Sequence, residues 1–313
     1  MARPQANNVV LDYILPHGVK IVDIARGLSL LNRKSYRSGY VYSVDFVEYI
    51  GHAGDNVRTA CLPMSYPLFQ SWKMGFDAWR EQRAAALEDA EYMETGKWSD
   101  FKPFYNEGHL DGLIVEVTPA GCADNSLNLA PLDTTGSEWT RARLNYNDAG
   151  AATVSALYVG MLGDDDVVGQ YGSLMHAYGV LRSPTLAPDP LTPVFASGSW
   201  ITKTGEESSD MSTATIDIIE DANDNPPYAN QTDTALPPTY VGNAQSAPAG
   251  LLMDMGFTGT TGRPVTLDGG LVPLGYIVVN ADMADIGNVA TLRVHCTRGT
   301  YKGVAALSMG DFS

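Results

Sequence analysis

Cysteine is scarce. Cys61, Cys122 and Cys296 are the only three in 313 residues, too few and too scattered for a disulfide framework or a zinc site. They are expected to be reduced, mostly buried small hydrophobes. Long apolar runs are missing too, for none approaches the roughly 20 residues that a membrane-spanning helix needs. The N-terminal residues Met1 to Asn8 lack the apolar stretch of a secretory signal, so the chain is expected to be soluble, with no membrane partner. Five histidines (His17, His52, His109, His176, His295) are far apart and form no H-E-x-x-H pattern. Neither a G-x-S-x-G elbow nor a G-x-x-x-x-G-K-[ST] phosphate loop occurs. No catalytic residue is assigned, and the chain is read as not an enzyme.

Basic residues are also few: 20 Lys and Arg stand against 36 Asp and Glu, a formal charge of −16. Such a field repels nucleic acid and anionic membranes and favours solubility. The charge is uneven, however. Residues 1–50 carry six bases (Arg3, Lys20, Arg26, Arg33, Lys34, Arg37) against four acids (Asp12, Asp23, Asp45, Glu48). Any surface that meets phosphate is therefore expected at this end, on Arg3, Arg26, Arg33, Lys34 and Arg37.

What is present is β-forming sequence broken by many turns. Thirty-one glycines and eighteen prolines are scattered without a period, as in sandwiches and barrels. Residues 269–279 and 290–304 are rich in β-branched side chains and read as two strands closing a sheet. Residues 19–33 begin strand-like and become helical, with Ile24, Leu28 and Leu31 at i, i+4 and i+7. Residues 39–50 alternate, placing Tyr40, Tyr42, Val44 and Phe46 on one face, with residues 57–64 as a candidate partner. Further strands are expected at 110–119, 140–146, 153–162, 213–219 and 251–257, and a short helix within 167–181. One substantial helix is predicted over 67–93, where Phe69, Trp72, Phe76, Trp79 and Leu87 recur at spacings of three and four. The fold class expected is all-β, a single jelly roll: an antiparallel eight-stranded β-sandwich with one long inserted helix and long loops. Residues 1–38 form an N-terminal arm and 39–313 the domain, with loop excursions at 183–212 and 221–248.

The segment Ile24-Ala25-Arg26-Gly27-Leu28-Ser29-Leu30-Leu31-Asn32-Arg33-Lys34-Ser35-Tyr36-Arg37-Ser38-Gly39-Tyr40-Val41-Tyr42 resembles the start of capsid proteins from circular, replication-initiator-encoding single-stranded DNA (CRESS-DNA) viruses. The helix around Trp72–Arg83, followed by residues 96–101, resembles an insertion seen in some of these proteins, and residues 271–275 with 300–304 resemble their final strand pair. The resemblance touches about a third of the chain. It implies a jelly-roll capsid protein, located in the virion, that assembles with copies of itself and holds packaged DNA on its inner surface. Members usually carry an arginine-rich N-terminal arm, whereas only Arg3 precedes Lys20 here, so any genome contact falls to a few residues such as Arg26, Arg33, Lys34 and Arg37. Trp72, Phe76, Trp79 and Trp98 are the residues favoured for subunit contacts, since buried aromatics dominate interface energetics, although an intrachain core would use the same residues.

Acidic clusters leave a second set of readings open. Asp217, Glu220, Asp221, Asn223 and Asp224 supply hard oxygen ligands of the type calcium prefers. Residues 221–226 resemble the D-x-N-D-N-P linker of cadherins, without the tandem repeat or the other ligand motifs. A solvated acidic loop with asparagine-proline turns is the preferred reading of this stretch. No other cofactor is expected. The chief alternative to a shell protein is a secreted or surface β-sandwich that binds carbohydrate or calcium. That reading draws on the acidity, the cadherin-like stretch and the sequon at Asn230.

Overall fold

A computed structural model describes residues 7–89, 100–120, 139–147, 154–163, 171–181, 250–259 and 263–312. The chain divides into two units: Met1–Met64, Gly108–Thr140 and Ala249–Phe312 in the first, Ser65–Glu107 and Arg141–Pro248 in the second. Within the 39–313 span expected as one domain, the second unit is drawn from two stretches of chain, separated by Gly108–Thr140 of the first. Among the described residues, no helix is long and apolar enough to cross a membrane.

The chain opens with β1 (Val10–Pro16), β2 (Gly18–Asp23) and α1 (Ile24–Asn32), then β3 (Tyr40–Ile50) and β4 (Asn56–Cys61). Next come α2 (Tyr66–Asp89), the single turn α3 (Glu107–Leu110), β5 (Val115–Val117), β6 (Arg143–Asn147), β7 (Val154–Gly160), β8 (Tyr171–Ser173) and α4 (Leu174–Leu181). The C-terminal run is β9 (Leu251–Phe257), β10 (Val265–Pro273), β11 (Tyr276–Asp282), β12 (Val289–Cys296), β13 (Arg298–Tyr301) and β14 (Ala306–Ser308), closed by a 3-10 turn (Met309–Phe312). Residues 10–32, expected within an arm, thus supply two strands and a helix. The helix expected at 67–93 is α2; residues 183–212, 213–219 and 221–248 lie outside the described residues.

Two sheets make the first unit. One has the order β1-β12-β3-β10, with β14 also pairing β3; the other has the order β5-β2-β11-β4-β9. Pairing is antiparallel except that β5 runs parallel to β2. The chain alternates between the sheets from β1 to β4 and again from β9 to β12: β1, β3, β10 and β12 lie in one, β2, β4, β9 and β11 in the other. So β3 and β4, expected as partners, are not paired. The strand expected over 269–279 is likewise two strands, broken at Leu274 and Gly275, whose φ angles of 57° and 75° turn the chain from one sheet to the other. Both sheets feed one core. Leu11, Tyr13, Val47, Tyr49, Leu292 and Val294 come from the first and Val22, Val57, Ile277 and Val279 from the second. Each such side chain, fully buried, contributes about 1.5–3 kcal/mol by removing apolar area from water.

The alternation along β3 slips once. Tyr42 and Val44 point inward, then Val47 and Tyr49, while Asp45 is exposed and Phe46 stacks on His295 with ring centroids 4.1 Å apart. Phe46 was expected beside Val44 on the same face. A bulge is the reason: on β12, His295 faces Phe46 but Cys296 faces Val44, which leaves Asp45 unpaired and reverses the phase beyond it. The slip is carried into β10, where Leu267 and Val272 are both buried five residues apart across Gly269 and Gly270. A Cβ on Gly269 would sit 2.2 Å from the Val44 carbonyl oxygen and 2.5 Å from that of Asp45. The glycine there is a steric requirement of the bulge.

The second unit packs α2 against α4, with a three-stranded sheet β6-β7-β8. Gly75 allows the helices to approach, since a Cβ there would lie 2.5 Å from a Leu174 methyl. Gln82 of α2 caps the open edge of β6 as another strand would. Its Nε2 donates to the Asn145 carbonyl at 2.6 Å and its Oε1 accepts from the Asn145 N–H at 2.9 Å.

Gly269→Ala should cost about 1–3 kcal/mol, as overpacking does, and lower the thermal midpoint by at least ~3 °C; an unchanged midpoint would contradict the assigned bulge. Burial pushes the Cys61 thiol up to about 11, and burial with the nearby Asp45 carboxylate pushes Cys296 up to about 12. At pH 8 the more acidic of the two is then only about one-thousandth thiolate, the reactive form. Peptide mapping after alkylation at pH 8 should therefore find both unlabelled in the native protein and labelled in denaturant.

Candidate nucleic-acid interface

The basic residues near the N-terminus sort into two environments. Asp23 caps α1, its side chain accepting from the Arg26 N–H at 3.0 Å. That cap directs Arg26 inward. Its side chain is 7% exposed and its Nη1 lies 2.9 Å from Glu116 of β5, itself 7% exposed, whose other oxygen is 3.5 Å from His109 Nε2. Arg26 was expected to contact nucleic acid; burial and its ion pair give it instead a structural role, fastening β5 to α1. A buried pair of this kind is costly to break because the remaining charge has no solvent.

The C-terminal end of α1 is different. Arg33 ends the helix with φ 53°, in the left-handed region. Asn32 fixes this end to the start of β1: its Oδ1 accepts from the Asn8 N–H at 2.7 Å and its Nδ2 donates to the Asn8 carbonyl at 2.9 Å. Ser29 Oγ accepts from the Tyr36 N–H at 2.9 Å while donating to the Ala25 carbonyl at 2.8 Å, which folds residues 33–37 back over the helix. Arg33, Lys34 and Arg37 are left exposed on this turn.

The β13 hairpin meets it there. Tyr36 OH donates to the Lys302 carbonyl at 2.8 Å, the Arg37 N–H donates to Tyr301 OH at 3.1 Å, and Lys302 Nζ donates to the Ser35 carbonyl. Tyr301 stacks on Tyr40 with centroids 4.1 Å apart and planes at 18°, and meets Tyr36 and Tyr42 edge-on at 6.0 and 6.5 Å. The Lys302 ammonium lies 5.2 Å from the Tyr301 centroid and 5.8 Å from that of Tyr36. Arg298 and Lys302 are exposed on the hairpin, and Tyr40 and Tyr301 are half-buried. Five exposed cations, Arg33, Lys34 and Arg37 on the turn and Arg298 and Lys302 on the hairpin, thus lie on the two segments that these hydrogen bonds join, with the Lys302 ammonium beside the tyrosine rings. Asp45 and Asp311 are the acids on adjoining elements, Asp45 accepting from the Thr297 hydroxyl at 2.6 Å. Of these five cations, Arg33, Lys34 and Arg37 were singled out from the sequence, and Arg298 and Lys302 were not. Their only signal was the basic spacing within residues 298–302, and nothing local shows that this hairpin returns to residue 36.

The other expected sites fall elsewhere. Arg3, Trp98 and the acidic group Asp217, Glu220, Asp221, Asn223 and Asp224 lie outside the described residues. Among the described residues no group of three or more His, Cys, Asp or Glu is arranged to hold a metal ion. Trp72, expected at a subunit interface, is only 5% exposed. It stacks on Phe76 at 5.1 Å, and with Trp79 these rings surround the buried Phe101. Trp72 is intrachain core; Phe76 and Trp79 are half-buried in the same cluster. Among the exposed apolar side chains of the described residues, four share one strand: Leu251, Leu252, Met255 and Phe257 of β9 are 48–67% exposed on the edge of a sheet.

Comparison with protein-family models, with curated proteins and with solved structures finds no match to this chain.

Arg26→Ala should cost about 3–5 kcal/mol, the range for breaking one side of a buried ion pair, whereas Arg33→Ala and Lys34→Ala, on the surface, should stay within about 0.5 kcal/mol. Denaturant melts of the three variants check this division; equal losses would contradict it.

Proposed function

We propose that this chain is a capsid protein: a jelly-roll subunit that assembles with copies of itself into a small closed shell around a nucleic-acid genome. Strand order is the observation that carries the reading. Lettered B to I along the chain, β1, β2, β3, β4, β9, β10, β11 and β12 fall into sheets ordered B-I-D-G and C-H-E-F, an order that supports the reading as a jelly roll, in which two Greek keys build one sandwich. The second unit then sits in the chain between strands E and F. This fold serves capsids and lectins alike, so the surfaces must choose between them.

The β9 edge favours a shell. A long edge strand bearing exposed apolar side chains is a template for association, and a patch of this kind marks a contact with another protein. The likeness of residues 24–42 to CRESS-DNA capsid proteins supports the same reading and, with it, a location in the virion and a single-stranded DNA cargo. The mechanism is association rather than catalysis, each specific contact burying roughly 1,000 Å² or more. A binding module is the second reading. It is favoured by a polar concavity of about 290 Å³ lined by His17, Asn56, Arg58, Asn280 and Asp282. Among the described residues the buried Asn56 Oδ1 there has no hydrogen-bond partner.

Negative-stain electron microscopy of the purified protein, with its absorbance ratio at 260 and 280 nm, is expected to reveal uniform closed particles containing nucleic acid. A monomer at every salt concentration and pH would overturn the shell in favour of the binding module. Phe257→Glu should abolish particles while leaving the melting midpoint within a few degrees, because the side chain is 67% exposed in the subunit.

A further inference from the structure

We infer that the tyrosine pair Tyr40–Tyr301 and the five exposed cations of the turn after α1 and the β13 hairpin form a binding site for single-stranded nucleic acid, built jointly by those two segments. The inference rests on the reading of the chain as a genome-enclosing shell and names the surface that meets the genome. In a chain of net charge −16, a polyanion needs a local reversal of sign. Here five of the chain's twenty Lys and Arg side chains gather on two short segments held together by hydrogen bonds between tyrosine hydroxyls and backbone groups.

The chemistry suits single strands more than duplex. Proteins that bind single strands without sequence preference combine a positive groove with aromatic rings on which bases stack. Tyr40 and Tyr301 supply half-buried rings already parallel at 4.1 Å, so a base that stacks on the pair meets a platform fixed before it arrives. Tyr301 is held at its hydroxyl by the Arg37 N–H, and Tyr42 holds the Arg37 carbonyl at 2.6 Å, which fixes the turn that presents the Arg37 guanidinium. Lys302, at φ 51°, places its ammonium over two of the tyrosine rings, next to where a phosphate following the stacked base would pass. The site does not require an arginine-rich arm, because its cations come from both ends of the folded domain.

The test is fluorescence anisotropy of a labelled 20-nucleotide thymidine strand titrated with the full chain at several sodium chloride concentrations. Contact with five phosphates predicts that log K falls with log salt at a slope of about −3.5. The double variant R298Q/K302N keeps a residue tolerant of the left-handed region at 302. It should make that slope shallower by about 1.4, having removed two phosphate contacts. Tyr40→Leu, checked for folding by its melting curve, should weaken binding roughly ten-fold with the slope unchanged, as loss of one stacked base does. A slope that R298Q/K302N leaves unaltered, or a duplex of equal length bound more tightly than the single strand, overturns the inference. Closed particles whose chains fail this titration would reject the site and keep the shell. Strand binding by a chain that never assembles would reject the shell and keep the site.

Discussion

The pairing of β12 between β1 and β3 is the constraint on which the rest depends. It joins Val10–Pro16 to Val289–Cys296 across nearly the whole sequence, and β3 on its other side is, at 11 residues, the longest strand among the described residues. Without it the first sheet has no centre, since among the described strands β1 would lose its one partner and β3 would keep β10 and the short β14. Loop-closure entropy opposes such distant contacts, and folds dominated by them form slowly. Once made, the pairing also brings the β13 hairpin, which directly follows β12, to the turn after α1. The core and the basic surface are therefore consequences of one zipper.

A local irregularity shapes that zipper. The bulge at Asp45 reverses the phase of β3, turns Phe46 outward onto His295, and demands Gly269 on the neighbouring strand. The outer face of the same sheet is tied by charge: Arg293 makes a two-pronged contact with Asp12 at 2.7 and 3.3 Å and reaches Glu48 at 3.6 Å, linking all three strands. These groups are partly exposed, so their worth is modest and falls with salt. Apolar burial holds the sheets together, and the polar ladder helps set their register.

Much of this was legible in the sequence. The alternation of residues 40–50, the strand-to-helix change at 23–24 and the aromatic spacing of α2 all follow from local periodicity, and the structure places elements there. Periodicity could not reveal the phase slip at Asp45, because one inserted residue looks like noise in an eleven-residue strand. Nor could it show that β3 and β4 belong to different sheets, since strand pairing is a long-range property. Arg26 was misread for a related reason: as a sequence it is one base among several, and only β5, some ninety residues later, supplies the Glu116 that buries it. The proposed site was half legible. Arg33, Lys34 and Arg37 stand out in an acidic chain, whereas Arg298, Lys302 and Tyr301 gain meaning only when the two ends of the domain meet.

Under the proposed function the remaining acidity has a use. A strongly negative surface discourages indiscriminate contact between crowded subunits, while an apolar edge and a small positive site confine attraction to two places. The most direct measurement of this account is a cryo-electron microscopy reconstruction of the assembled protein at a resolution that traces the strands. The account predicts the eight-stranded sandwich in the wall, β9 seated against a neighbouring subunit, and the 298–304 hairpin facing the lumen beside density for nucleic acid. A closed particle with β9 in open solvent and that hairpin on the outer surface would contradict it.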